Sequence, residues 1–298
     1  MSDFIPVPHS FDEAAWRDEV LRARAQTLAA FRDPRTSPYA AVARHDFSGG
    51  TPLVFGSAGD CDVQLAGLPA HAMRARVEGE SFVCQSIELD TNFLFFEKGA
   101  AQGAERIEAR FGPGARVQLG RYGLRFSHQN FPAVLVLDPQ SPRLTDPSEA
   151  HPPLWFEPDP AHRLEAKLER DPSPREEIVL STRGQKRRGL KLGTLLFSLG
   201  GETHRLTALR LLEPGSDEAG FSIFFRDATS GNETYPVGRY VDPRPLDGPG
   251  GDRWLLDFNR AYNPACAFSP LFNCPIPPRE NRLPIAVRAG ERDPHPHS

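Results

Sequence analysis

The side chains best equipped for chemistry gather in the last third of this 298-residue chain. In FRDATSGNETYPVGRY, residues 225–240, Asp227 and Thr229 flank a turn centred on Gly231, and Tyr235 and Arg239 lie on the returning strand. Asp and Thr at a turn commonly hydrogen-bond the neighbouring backbone, and Arg239 can pair bidentately with Asp227 or Asp257. On that reading the group is structural. The functional reading makes it a polar pocket floor in which Arg239 holds an anionic ligand. A second stretch, LDFNRAYNPACAFSPLFNCPIPP, residues 256–278, begins as a strand and then breaks. Asn259, Asn263 and Pro264 do not continue a central ladder, and a residue before proline is driven to extended geometry. The prolines stiffen 264–278, and Phe268, Leu271 and Phe272 can pin it to a sheet. Such a loop either covers a sheet edge or preorganises a site. The expectation is a rigid loop closing the domain, with Asn259, Tyr262 and Asn263 turned inward onto Asp227 and Arg239.

Seven residues separate Cys266 from Cys274 in that loop. Three readings stay open: buried free thiols acting as small hydrophobes, a bridge or redox pair, or a nucleophile or metal ligand. Cys61 and Cys84 read as core. No CxxC pair occurs and no histidine lies between His204 and His295, so the usual zinc spacing is missing. No cofactor and no metal are expected. Nor is there a GxSxG elbow, an HExxH pair, a Walker loop or a dinucleotide fingerprint. Carboxylates can still be assembled from distant strands, so a hydrolase using Asp227 or Asp257 as base remains an alternative.

The composition is that of a globular protein, with 39% hydrophobic and 25% charged residues. A net charge of −4 offers no global attraction to nucleic acid or to an anionic membrane, and neither is expected as a partner. RGQKRRGLKLG, residues 183–193, carries five positive charges without interleaved aromatics and reads as a solvated hairpin tip. The first twenty residues lack the basic start and apolar core of a secretory signal, which places the protein in the cytoplasm. Thirty prolines and 25 glycines point to many turns and few long helices.

The elements that would position these residues are mainly β. One helix is expected, over 10–32, with Ser10 and Glu13 as a capping box and Trp16, Val20, Ala23 and Phe31 near one face. That stripe has to pack on one of the β domains. Short alternating runs between 50 and 137 give six to nine strands, the pattern of a β-sandwich. Residues 138–160 are proline-rich and read as a linker. Further strands follow, with glycine turns between them, and Asn281 opens a last strand that Glu291 closes. The fold class is thus an N-terminal helix followed by two β-sandwich or barrel-like domains. Its parts are a helix and arm (1–40), a sandwich (41–137), the linker (138–160), a second β domain (161–292) and a disordered tail (293–298).

VFGSAGDCDVQLAG, HAMRARVEG and GPGARVQLGRYGLRF resemble the strand framework of a forkhead-associated domain. The resemblance implies a sandwich whose loops at one end read phosphothreonine. Where that class has its arginine this chain has Ser57, its loop serine falls at His71 and its histidine at Arg74. Without the arginine and serine most charge-assisted bonds to phosphate are gone, which implies a degenerate sandwich. FFRDATSGNETYPVGRY and LDFNRAYNPACAFSPLFNCPIPPRENRLPIAVRAGE are similar to bacterial domain-of-unknown-function family 1684, which brings no activity with it. The residues then favour a non-catalytic binding protein. It would hold a small polar or anionic ligand near Asp227, Thr229, Tyr235, Arg239, Asp257, Asn259, Tyr262 and Asn263. The alternatives are the hydrolase and a scaffold presenting sandwich loops to a protein partner.

Overall fold

The computed structural model describes residues 11–88, 92–146, 148, 150–214, 220–248 and 250–295. The protein is mainly β, as expected, and it divides into two compact units. One contains the described residues of Met1–Ala30, His151–Leu212 and Asp217–Ser298, the other those of Phe31–Ala150 and Glu213–Ser216.

The middle unit is a two-layer sandwich. Its strands are β1 (Ala41–Asp46), β2 (Leu53–Gly56), β3 (Val63–Gln64), β4 (Met73–Glu78), β5 (Ser81–Ser86) and β6 (Phe93–Phe96). β7 (Ala104–Arg106), β8 (Glu108–Phe111), β9 (Arg116–Leu119), β10 (Tyr122–His128) and β11 (Pro132–Leu137) complete it. Among the described residues these are eleven strands where six to nine were expected, because several are pieces of two to four residues that periodicity does not separate. One sheet runs β1-β11-β10-β9-β6-β7 and the other β3-β2-β4-β5-β8, antiparallel except for β2 with β3. Tyr122, Leu124 and Phe126 point inward from β10 at every second position and meet Phe55, Phe82, Cys84 and Phe111 of the other sheet. Phe126 lies 5.1 Å from both Phe82 and Phe111. Cys84 is fully buried there, as expected.

The other unit is built on a long hairpin, β12 (Arg163–Leu180) with β13 (Lys186–Leu199). β14 (Glu202–Leu211), β15 (Ile223–Phe225), β16 (Arg239–Val241), β17 (Arg244–Pro245) and β18 (Arg253–Asp257) follow. The main sheet is β14-β13-β12-β18-β17, and β15 pairs with β16 beside it. The hairpin slips register between Arg170 and Arg175, where Gly193 faces the partner backbone. A Cβ at Gly193 would lie 2.1 Å from the Glu169 carbonyl oxygen, so only glycine fits the bulge. Ala166, Leu168, Leu195, Phe197, Leu206, Leu256 and Phe258 fill the core over one face.

Helix α1 (Glu13–Arg32) buries Trp16 and Val20. The Ser10 cap expected from the sequence lies outside the described residues. Asp12 caps instead, its carboxylate accepting the Ala15 N–H at 2.9 Å. Phe31 does not join the Trp16 stripe but lies edge-on to Tyr39 in the sandwich unit. Among the described residues, no helix is long and apolar enough to cross a membrane.

Two further expectations are corrected. The segment from Asn281 to Glu291 is no strand; its only β-type pairings are isolated bridges at Arg282 and Glu291. The tail is docked at its start: the His295 ring lies 3.0 Å from the Ala267 carbonyl oxygen, and the Asp293 N–H donates to Glu233.

Candidate functional site

The missing last strand explains Arg239. This guanidinium is 1% exposed and stands at the start of β16, facing the irregular C-terminal segment. It donates to three alternate carbonyls, Val287 at 2.8 Å, Ala289 at 2.5 Å and Glu291 at 3.0 Å. Alternate residues of an extended chain point the same way, so one arginine does for this segment what a neighbouring strand would otherwise do. Its remaining bond goes to Asp227 Oδ2 at 2.8 Å. Burial pushes the guanidinium below its usual value and Asp227 pulls it back up.

Asp227 is as fully engaged. Its Oδ1 accepts from the Thr229 N–H and Oγ1 at 2.6 and 2.5 Å, and Thr229 Oγ1 lies 2.8 Å from Thr234 Oγ1. Gly231 takes φ 88° in the turn, and both Asp227 and Thr229 are buried. Arg239 thus meets Asp227 through one nitrogen rather than bidentately, and neither side chain has a donor or acceptor turned to a ligand.

Asp257 and Asn259 form a separate clasp. Asn259 exchanges bonds of 2.8 Å with both the N–H and the carbonyl of Asp159, and its amide donates to Asp257 Oδ1 at 2.9 Å. The other Asp257 oxygen accepts from the Trp16 indole at 2.9 Å, which ties α1 to β18. Asn263 bonds neither Asp227 nor Arg239: its N–H donates to Glu291 Oε2 at 2.8 Å and its amide to the Arg292 carbonyl at 2.7 Å. Tyr262 turns outward, 36% exposed, and donates to Asp242 at 3.1 Å. The eight residues therefore fall into several neighbourhoods, and the convergence of Asn259, Tyr262 and Asn263 on Asp227 and Arg239 is not found. Each polar group bonds the backbone nearest to it, a choice that spacing along the chain does not reveal.

Tyr235 belongs with the cysteines. Its hydroxyl donates to the Cys266 carbonyl at 3.4 Å and lies 4.0 Å from Cys266 Sγ. All four cysteines are free. The basic stretch is not simply solvated: Arg187 is buried and bonds the Asn273 carbonyl at 3.3 Å, and Arg183 bonds that of Pro270 at 3.1 Å. Both hold the cysteine loop against the β12–β13 turn.

Sequence reasoning missed Glu291, Asn281 and Arg163. Burial pushes the Glu291 carboxyl up to about 7, against the pull of the Asn263 N–H, Arg239 and Arg24. Asn281 is fully buried and spans Thr207 and Phe224, accepting at 2.6 Å and donating at 3.0 and 2.9 Å. Its place between Glu and Arg in the sequence offers no signal for this.

Arg163 lines a cavity of about 660 Å³ between α1 and the sheet, with Phe11, Trp16, Arg22, Glu165, Leu246, Arg253 and Leu255. Of the acids lining it, Asp12 accepts the Ala15 N–H through one oxygen, and Glu165 and Glu19 pair with arginines. Glu165 forks with Arg253 at 2.6 and 2.9 Å, and Glu19 is shared by Arg260 at 2.7 Å and Arg244 at 3.4 Å. Arg163 stacks on Phe11 at 4.6 Å, and its buried Nε has no hydrogen-bond partner among the described residues. In the sandwich unit, Asp60, Cys61 and His71 bring metal-type ligand atoms within 4.8 Å of one another. There His71 already pairs with Asp60 at 2.8 Å, and the Cys61 thiol donates to the Ala70 carbonyl at 3.2 Å. Arg74 is bonded to Gln85.

Residues 154–292 match the model of a family described as "Protein of unknown function (DUF1684)". Among solved structures, the chain is similar to an uncharacterized protein of Haloarcula marismortui determined by solution NMR. The two are 41% identical over 47% of this chain and 75% of that one, with a TM-score of 0.39. No curated protein matches the chain.

Proposed function

We propose that this chain, which through residues 154–292 belongs to the family described as "Protein of unknown function (DUF1684)", is a non-catalytic binding protein for a small anionic molecule. The reading moves the ligand from the Asp227–Arg239 cluster, whose bonds are all made internally, to the cavity beneath α1. The observation that carries it is Arg163, whose buried Nε has no hydrogen-bond partner among the described residues, while Glu165 and Glu19 are paired with other arginines. A buried donor without a partner costs roughly 1–3 kcal/mol, and a bound carboxylate or phosphate would remove that cost. The cavity, at about 660 Å³, falls in the usual range for small-molecule sites of roughly 300–1,000 Å³. Phe11, Trp16, Leu246 and Leu255 suit an apolar body behind the anionic head. Catalysis through Asp227 or Asp257 is disfavoured because both are buried and bonded on both oxygens. A forkhead-associated-like origin of the sandwich stays part of this reading, with His71 and Arg74 bonded within the protein where that class would meet phosphate.

The test is thermal unfolding of the wild type and Arg163→Met with inorganic phosphate, citrate, benzoate and octanoate at fixed ionic strength. The reading expects at least one of these anions to raise the wild-type midpoint saturably and to leave the variant unmoved. Equal responses of the two proteins to all four would reject it.

A further inference from the structure

Cys266 and Cys274 sit closer than their seven-residue separation requires. Cys266 lies in the short turn Ala265–Ala267, and its N–H donates to Cys274 Sγ at 3.3 Å. Cys274 is fixed from behind, its N–H donating to Thr182 Oγ1 at 3.1 Å and its carbonyl accepting the Thr182 N–H at 2.9 Å. Arg187 on the Asn273 carbonyl and the buried Phe268 ring hold the intervening loop. Exposure differs between the pair: Cys266 is half-buried, and Cys274 is buried at 7%.

We propose that Cys266 and Cys274 are a dithiol–disulfide exchange site, with Cys266 as the attacking thiol, Cys274 as the resolving thiol and a low-molecular-weight disulfide of the glutathione class as co-reactant. The Cys266 thiolate attacks one sulfur of the small disulfide, forming a mixed disulfide and releasing one small thiolate. Cys274 then gives its proton to that thiolate and attacks Cys266 Sγ, releasing the second small thiolate, which takes up the proton lost from Cys266. The protein dithiol loses two electrons and two protons, and the small disulfide becomes two thiols. The order of attack follows from access and from polarity. The hydrogen bond from Cys274 lowers Cys266 against the opposing effect of burial, aided by the Thr182 and Tyr235 hydroxyls, while the same bond and burial raise Cys274. Tyr240, Tyr262, Arg187 and Asp293 are other ionisable groups around the pair. Cys84, fully buried in the sandwich core, has no such neighbours.

The tryptic peptide 261–279 carries both cysteines and no other, which makes the readout direct. Reduced full-length protein is incubated with excess oxidised glutathione, quenched in acid, alkylated and mapped by mass spectrometry. The proposal expects this peptide to lose two hydrogens, resist alkylation and revert with dithiothreitol. It also expects Cys274→Ser to accumulate one glutathione on Cys266, and Cys266→Ser to leave Cys274 unmodified. Full alkylation of both residues in the wild-type peptide after glutathione treatment would overturn it, and that result needs no variant to fold. A stable adduct on Cys274 in Cys266→Ser, with none on Cys266 in Cys274→Ser, would overturn the assigned order.

Discussion

Replacing Arg239 with alanine strips four acceptors at once: Asp227 Oδ2 and the carbonyls of Val287, Ala289 and Glu291. The carboxylate left behind is buried, at 2% exposure, with only the Thr229 groups and the more distant Val287 N–H still facing it. Breaking a buried ion pair from one side costs about 3–5 kcal/mol, and the three carbonyls add to that wherever water does not reach them. A loss of about 4 kcal/mol is the expectation, a large part of the 5–15 kcal/mol by which ordinary domains are stable. For a unit of this size each kcal/mol moves the midpoint by about 2–4 °C, so a fall of about 8–16 °C follows. The assay is tryptophan fluorescence on urea and heat unfolding. Trp16, Trp155 and Trp254 all lie in the unit that contains Arg239 and are the only three tryptophans in the chain, so the signal ignores the sandwich. A loss below about 1 kcal/mol, under the range for breaking a buried pair, would refute the claim that Arg239 stands in for a strand.

Other consequences are as concrete. Glu291 is held up at about 7 when folded, against an ordinary glutamate value near 4.3. Its protonated form is the one the fold favours, so its contribution is complete below about pH 4.3 and is lost as pH rises through about 7, a change on the order of 3 kcal/mol. Glu291→Gln should flatten that part of the stability profile in urea titrations from pH 4 to 8, and an unchanged slope would contradict it. Trp16→Phe keeps the ring but leaves Asp257 Oδ2 without its indole donor, so unfolding should become easier by about 1–3 kcal/mol. Stability equal to the wild type would show that α1 docks by packing alone.

The sheet character, the helix and the sandwich core were legible because alternation and amphipathic spacing act locally. Tyr122, Leu124 and Phe126 announce their face by their spacing, as Trp16 and Val20 do. The site was less legible. Asp227 and Thr229 read as turn residues, and Arg239 as a bidentate partner of Asp227 or Asp257; the structure gives Asp227, through one nitrogen. That Arg239 also holds three carbonyls from a segment some fifty residues later depends on a strand that fails to form. Asn259 turned to Asp159, a hundred residues earlier, for the same kind of reason: a buried amide takes whichever backbone the fold brings close. The basic stretch misled because charge alone suggests solvent, whereas Arg187 is buried against the Asn273 carbonyl. Arg163 carried no signal at all, since its distinction is the lack of a partner for Nε among the described residues.

The most direct measurement is native against denaturing mass spectrometry on the wild type and Arg163→Met, purified side by side. The account predicts an excess native mass on the wild type that disappears on denaturation and is absent from the variant. Bare masses for both proteins, or the same excess on both, would contradict an anion site at Arg163.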